Sequence, residues 1–504
     1  MRGLRLAVAL AALAALALAV WQLRAETRGL VIEDVAIGET PATVFRPEGG
    51  APAPAVVIAH GFAGSRQLMR SFSLTLAQNG YVAVAFDFRG HGRNPRPLTG
   101  DVTAETGATA TLLGELARVT DFARAHPAAD GRVALVGHSM ASDIVVRAGV
   151  ADPGIAAVVA VSMFTEEATA TEPRNLLAIT GEWEGFLREA ALDTVGLATE
   201  ETPKEGVTYG SLAEGTARRA AVAENVEHVG VLFSPDTMAE TLAWLDGTFA
   251  RAGSGHLAER GGWIALMLAG IVALAWPAAS LLPRIATPPT GGAPRGWGRF
   301  LGRAAIPAVA TPLLLWPVET AFLPVLVADY LALHFALYGA ITAALLLAER
   351  RVRRPSLPET GRVLAASAGV AALMLGGFGL ALDAEVASFF PTAERAWLIL
   401  MLLGGTLVYM VSDEWLSRGP EAPRGAYAVS KLLFLASLAL AVALDLEDLF
   451  FLIIILPVIL LFFLIYGLVS GWVMRATGHP AAAGLANALA FAWALGVTFP
   501  LLGG

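Results

Sequence analysis

The residue best equipped for chemistry is Ser139, in Gly137-His138-Ser139-Met140-Ala141. A serine hydroxyl is a weak nucleophile at neutral pH, so acyl transfer at Ser139 needs a histidine to take its proton. That histidine in turn needs a carboxylate to fix its tautomer and stabilise the imidazolium. A Gly-x-Ser-x-small pentapeptide suits this task when it joins a strand to a helix. The turn then holds the hydroxyl clear of the sheet, and the N–H groups that open the helix lie beneath the reacting oxygen. The flanking sequence supplies that context, with an apolar strand over 133–136 and a helix over 142–149. Gly137 meets the need for a small residue, and Ala141 stands where a second glycine is usual. The chain has no cysteine, which excludes thiol nucleophiles, disulfides and thiolate metal sites.

The elements that would position Ser139 follow from hydropathy. Residues 31–46 alternate as an opening hairpin, and buried-strand runs recur at 55–59, 82–86, 133–136, 156–161, 176–180 and 220–226, separated by helical stretches. This order predicts an α/β fold with a mostly parallel sheet covered on both faces, whose binding sites lie beyond the carboxyl ends of the strands. Polar segments follow those ends: His60-Gly61-Phe62-Ala63-Gly64, Asp87-Phe88-Arg89-Gly90-His91-Gly92, Gly181-Glu182-Trp183-Glu184-Gly185 and Glu227-His228-Val229-Gly230.

With these segments in this order, the stretch from about 25 to 250 resembles the α/β-hydrolase superfamily, especially its small esterases of feruloyl-esterase-like and dienelactone-hydrolase-like type. The resemblance implies a doubly wound, mostly parallel sheet and a serine, acid, histidine chain order. Only His228, His256, His334 and His479 lie after Ser139. His256 falls in a linker, His334 inside an apolar span and His479 beyond another span, which leaves His228 as the base. The family spacing of glycine, two residues, acid selects Glu184, with Glu182 as the alternative; a glutamate stands where aspartate is commoner. Asp143, one helical turn past Ser139, suits packing or substrate contact. By position, the amides of Phe62 and Met140 form the oxyanion hole, each such donor being worth about 10² to 10³ in rate. His60, His91 and His138 read as residues that order loops rather than as a metal cluster, and neither metal nor other cofactor is expected. The connection from 161 to 176 is too short for a large cap, and residues 186–218 form an insertion that could border the acyl site.

The rest of the chain is of another kind. Of 504 residues, 56% are hydrophobic and 15% charged, and the mean hydropathy is +0.61, too apolar for a wholly soluble protein. Arg2 and Arg5 precede an uncharged run to Leu23. Residues 1–24 therefore read as a signal anchor, with a cleaved signal peptide as the alternative. Residues 25–255 form the hydrolase-like domain, and 256–504 an all-α multi-pass bundle. Eight apolar segments recur there, at 262–282, 301–318, 322–348, 362–382, 395–411, 427–444, 449–470 and 481–502. Alternate loops are basic: Arg284, Arg295 and Arg299; residues 350–354; Arg418, Arg424 and Lys431; Arg475. The others carry Glu319, then Asp383, Glu385 and Glu394, then Asp445, Glu447 and Asp448, with Arg395 as their lone basic residue. By the positive-inside rule, the basic loops face the cytoplasm, and the hydrolase-like domain and the C-terminus lie outside. The proline-rich segment at 301–318 and its successor could instead form a re-entrant pair.

The net charge of −8 offers no basic surface, which excludes nucleic acid as a partner. The expected partners are the bilayer and a small-molecule or lipid ester. The reading that follows is ester hydrolysis, of a lipid or acyl-glycan, at the outer face of a bacterial cytoplasmic membrane. Two alternatives stand beside it. One is acyl transfer to an envelope or lipid acceptor through the same acyl-enzyme. The other is a transporter or signalling protein with a non-catalytic hydrolase domain, for which the intramembrane Asp329 and His334, with Glu319 near the span's outer end, are the candidate residues.

Overall fold

Buried β-branched runs and the glycines that end them produce a nine-stranded sheet in the computed structural model, which describes residues 2–100, 105–292, 296–320, 322–325, 327–348 and 356–503. The charged positions expected at 295 and 350–354 lie outside the described residues. The chain divides into two compact units, one of residues 18–266 with 382–388 and 500–504, the other of 1–17, 267–381 and 389–499.

The first unit holds the sheet. Helix α1 (Arg2–Ala25) leads into the hairpin β1 (Leu30–Ile37) and β2 (Thr40–Pro47). There follow β3 (Ala53–Ala59), α2 (Arg70–Gln78), β4 (Val82–Phe86), the short β5 (Leu98–Thr99), α3 (Ala110–Ala125), β6 (Ala129–His138) and α4 (Met140–Ala151). The series ends with β7 (Ile155–Val161), β8 (Leu176–Gly181), α5 (Gly185–Gly196), β9 (Thr208–Tyr209), β10 (Arg218–Ala223) and α6 (Pro235–Phe249). The sheet order is β1-β2-β4-β3-β6-β7-β8-β10-β9; β2 pairs antiparallel with β1 and β4, β9 pairs antiparallel with β10, and the remaining pairs are parallel. Two hydrophobic cores cover its faces, one around Phe72, Tyr81, Ile58 and Trp244, the other around Phe86, Leu116, Val145 and Val158. A sheet buried on both sides explains why its central strands read as unbroken apolar runs. The last strand ends at Ala223, earlier than the expected 226, because Asn225 turns the chain at φ 57°.

Two short segments from the C-terminal half complete this unit. The loop at 382–388 binds through an Arg93–Asp383 ion pair at 2.6 Å, an Arg260–Glu385 pair and a hydrogen bond from Ser388 N to Ser65 Oγ at 3.1 Å. The tail forms strand β11 (Leu502–Gly503), parallel to β5, with Leu501 N donating to Gly90 O at 2.9 Å. The span expected to reach 502 thus stops at Thr498, and the residues beyond it pair as strand instead.

The second unit is helical: α7 (Gly261–Ala279), α8 (Trp297–Leu315), α9 (Ala328–Ala348), α10 (Leu357–Ala371) continuing through a π-helical turn into α11 (Gly379–Glu385), α12 (Ala393–Ser417), α13 (Ala426–Leu444), the one-turn α14 (Leu446–Leu449), α15 (Phe451–Thr477) and α16 (Ala481–Thr498). Among the described residues, eight helices are long and apolar enough to cross a membrane: α1, α7, α9, α10 with α11, α12, α13, α15 and α16. The expected span at 301–318 forms as α8 but is not among them; it carries Arg299, Arg303, Pro307 and Pro312. Small residues set the closest crossings. A Cβ on Gly339 or Gly405 would overlap backbone of the facing helix in the α9–α12 pair, and one on Gly270 would lie 3.0 Å from Leu16 Cγ of α1.

Several ionisable residues lie inside helices. Lys431 lies within α13, and Asp413 and Glu414 within α12, and Lys431 Nζ pairs with Asp413 Oδ2 at 2.6 Å inside the unit. Arg395 is buried in α12 and donates to the carbonyls of Gly496 and Phe499 that end α16. Asp329 accepts the N–H groups of Phe322 and Tyr330, at 3.0 and 2.8 Å, and so caps the turn that precedes α9. His334 reaches Tyr330 Oη at 3.3 Å and Ser437 Oγ of α13 at 3.1 Å.

Candidate active site

Four parallel strands deliver the site. Registers Ala59↔Gly137, Gly137↔Ala160 and Val161↔Ile179 align the carboxyl ends of β3, β6, β7 and β8. Ser139 follows β6 directly, its N–H donating to Val161 O at 2.9 Å, with φ 54° and ψ −120°. For a non-glycine residue that is a strained conformation, and it turns the side chain out of the sheet at the mouth of α4. A Cβ on Gly137 would overlap the Ala141 carbonyl oxygen, so glycine is obligatory at that end of the turn. Ala141 itself is fully buried, and the turn closes with its methyl in place.

The structure brings Ser139, His228 and Glu184 together. His228 Nε2 lies 2.9 Å from Ser139 Oγ, and His228 Nδ1 lies 2.5 Å from Glu184 Oε1. The other carboxylate oxygen, Glu184 Oε2, accepts from Ser162 Oγ at 2.8 Å and from Gly181 N at 2.7 Å. Burial pushes the Glu184 carboxyl upward, but the hydrogen bonds from His228, Gly181 and Ser162 outweigh it and hold the group below the usual range. A fixed anion behind an imidazole whose far nitrogen faces a hydroxyl is an arrangement for deprotonating that hydroxyl.

Glu182, the alternative acid, and Asp143, assigned to packing or substrate contact, are engaged elsewhere. Glu182 is exposed, and its carboxylate accepts from Asn225 N at 2.9 Å. Asp143 pairs with Arg147 at 2.7 Å and accepts from Thr165 Oγ1 at 2.7 Å, a bracing role on the first turns of α4.

The side of Ser139 where the sequence places the oxyanion donors is built from the loop after β3. A Cβ on Gly61 would sit 3.0 Å from both Ser139 Cβ and the His138 carbonyl oxygen, so Phe62 begins immediately beside the nucleophile. Met140 is the first residue of α4, where an N–H has no acceptor within the helix. Neighbouring loops are tied down by polar contacts. Asp87 accepts from Arg66 N and Nη1 at 2.8 and 2.9 Å and from Arg93 N at 3.0 Å. His60 donates from Nδ1 to Gly61 O at 2.8 Å and accepts at Nε2 from Phe88 N at 3.1 Å, and His91 Nδ1 donates to Arg89 O at 2.9 Å. His60 thus sits as a neutral tautomer, and burial lowers its pKa.

One contributor has no local sequence signal: Ser162, at φ 53° past β7, donates to Glu184 from a position no motif marks. His138, inside the pentapeptide around Ser139 and read from sequence as ordering a loop, donates from Nε2 to the His228 carbonyl at 2.9 Å. Burial, reinforced by the positive charge His228 can carry, pushes His138 down to about 3 from an ordinary 6.5. Between those values the unfolded chain binds a proton at His138 that the folded domain does not. Folding stability is therefore expected to fall on acidification across this window, by up to about 1.4 kcal/mol per pH unit for this residue. Glu184 adds to the same trend at lower pH, because a depressed carboxyl pKa stabilises above the usual range and is lost as pH drops through the folded value. A His138→Gln variant should show a flatter dependence of the domain's thermal midpoint on pH; an unchanged slope would contradict this.

Comparison with known proteins follows the same lines. Residues 50–200 match the family model described as serine aminopeptidase, S33. No curated protein matches the sequence. Among solved structures, a Klebsiella pneumoniae protein assigned as a dienelactone hydrolase is 17% identical, covering 44% of this chain and 99% of its own, with a TM-score of 0.32. A protein from Thermus thermophilus has 17% identity, the same coverages and a TM-score of 0.33. A membrane phospholipase A described as a bacterial virulence factor is 16% identical, covering 49% of this chain and 96% of its own, with a TM-score of 0.33.

Proposed function

We propose that this chain, whose sheet-bearing domain is an α/β-hydrolase, is a multi-pass membrane serine hydrolase that cleaves an ester through an acyl-enzyme on Ser139. The observation that carries this reading is the continuous hydrogen-bond chain Glu184–His228–Ser139, at 2.5 and 2.9 Å, on a strained strand-to-helix turn. His228 takes the proton as Ser139 Oγ attacks the ester carbonyl, and the N–H groups of Phe62 and Met140 receive the oxyanion. The same imidazolium then protonates the departing alkoxide, and water repeats the sequence to free the acid. Glu184 stays ionised throughout, and His138 holds the main chain of His228 from behind.

The surroundings of the triad favour an apolar acyl group, from a lipid or an acyl-glycan. Trp183 and Phe186, which flank Glu184, are 66% and 68% exposed, and Phe164, close after Ser162, stacks on Phe186 with centroids 5.7 Å apart. Exposed aromatics beside a nucleophile offer a surface for a hydrocarbon chain. The alternation of loop charge supports an extracytoplasmic site at the inner membrane of a bacterium, and it agrees with the packing of the Asp383 and Glu385 loop and of the C-terminal tail on the hydrolase domain.

A fluorophosphonate probe is expected to label the intact protein at Ser139, located by peptide mapping. Acyl esters of increasing chain length should be hydrolysed in preference to aminoacyl anilides. Absence of labelling, or equal labelling of Ser139→Ala, would sink the serine-hydrolase reading; preference for the anilides would turn it toward a peptidase.

A further inference from the structure

Far from the triad in sequence, three guanidinium groups converge in the helical unit. Arg5 of α1, Arg284 after α7 and Arg475 at the end of α15 line a cavity of about 370 Å³, together with Trp276, Trp472 and Leu282. Among the described residues, none of the three arginines is paired with a carboxylate. Arg284 Nη1 donates to the carbonyls of Arg475 and Ala476, at 3.0 and 3.3 Å, which anchors it on the carbonyl end of α15. Its guanidinium also lies against Gly478, where a Cβ would come within 3.0 Å of Cζ. Arg5 is less provided for, because its Nε is buried and has no hydrogen-bond partner.

Three like charges around one cavity repel one another, Arg284 and Arg475 from exposed positions and Arg5 from a half-buried one, so an anion placed among them relieves that repulsion. Guanidinium groups match the oxygens of a phosphate in paired geometry. The two indoles beside them are the side chains that favour the depth of lipid headgroups. Leu281, next to the cavity, is 85% exposed and offers a track for hydrocarbon. The arginines also fall in the segments that loop-charge alternation assigns to the cytoplasmic side, where anionic lipids attract juxtamembrane basic groups.

We propose that this cavity binds the phosphate of an anionic phospholipid, held by Arg5, Arg284 and Arg475 between Trp276 and Trp472. The lipid then fastens α1 to α7 and α15, making the N-terminal helix a bound member of the bundle. The site is separate from the hydrolase triad, so neither reading depends on the other.

The test uses the full chain purified in detergent, with native mass spectrometry after incubation with phosphatidylglycerol, cardiolipin or phosphatidylcholine. At about five-fold per arginine, the three together should favour the anionic lipids by on the order of 100-fold. Arg5→Gln should reduce that preference about five-fold, and the triple Arg→Gln variant should abolish it. Arg424→Gln, in an exposed loop, should leave it intact. Because Arg5 makes no hydrogen bond among the described residues, its single variant keeps the test decisive if the triple variant does not fold. Equal retention of phosphatidylcholine by the wild type, or undiminished anionic preference in Arg5→Gln, would overturn the proposal. Displacement of the bound lipid by inorganic phosphate would overturn the lipid assignment in favour of a free-phosphate site.

Discussion

Ser139→Ala is expected to lower kcat for a good ester substrate by about 10⁴ to 10⁶, with KM changed little. The reason lies in the geometry. In the proposed mechanism Ser139 Oγ forms the new bond, and the 2.9 Å contact to His228 Nε2 makes it nucleophilic. Removing the base should therefore cost about as much as removing the nucleophile, and the Ser139→Ala, His228→Ala double variant should be no slower than either single one. Glu184→Gln keeps the shape but replaces the anion that fixes His228 Nδ1–H as the donor, and a loss of about 10³ to 10⁴ is expected there. The residual rate in all of these comes from the oxyanion donors and substrate binding. Single-turnover acylation with a chromogenic ester reads each value directly. A fall of less than about ten-fold for Ser139→Ala would remove Ser139 from the chemistry. Additive losses for Ser139 and His228 would mean that they do not act as a unit.

The grouping of Ser139, His228 and Glu184 was legible because each follows a strand that announces itself by hydropathy. Gly137 and the apolar run before it mark the turn, and Glu184 follows β8 at a spacing that its own backbone requires, since Gly181 N must reach back to Glu184 Oε2 at 2.7 Å. Ser162, and the particular partner of His138, were not legible, because these contacts depend on the lateral register of β6, β7 and β8, which no local pattern encodes. The helical half divides in the same way. The order of its helices follows from apolar length, but α8, with its arginines and prolines, falls short of a span. Apolar length does not convey how the charges of Lys431 and Arg395, which lie inside their helices, are satisfied: by Asp413 of a neighbouring helix in one case and by the open carbonyls of α16 in the other. The strand formed by Leu502–Gly503 escaped notice because two residues carry no periodicity.

Lys431→Met is expected to destabilise the helical unit by about 3 to 5 kcal/mol, because it strands the Asp413 carboxylate inside the unit. That carboxylate is 1% exposed and accepts from Ser430 Oγ as well as from Lys431 Nζ. The ammonium is correspondingly enclosed: it donates to Tyr409 Oη at 3.2 Å and lies 4.6 Å from the ring centroids of both Tyr409 and Phe463. Glu414 and Arg418, whose charged atoms approach to 3.4 Å, balance a second pair beside it. Two acids and two bases thus neutralise one another where water is scarce, and removing a single member breaks the balance. Asp413→Asn combined with Lys431→Met removes both charges and should recover most of the loss, since a buried pair contributes little net stability beyond satisfying itself. Thermal midpoints of the detergent-solubilised chain, read by tryptophan fluorescence, distinguish the cases. If the double variant is as unstable as the sum of the singles, the two residues are not coupled as the 2.6 Å contact requires. If the double variant is stable and hydrolyses esters at the wild-type rate, the pair serves the bundle's architecture. If it is stable but hydrolysis falls, the pair serves more than the bundle's architecture.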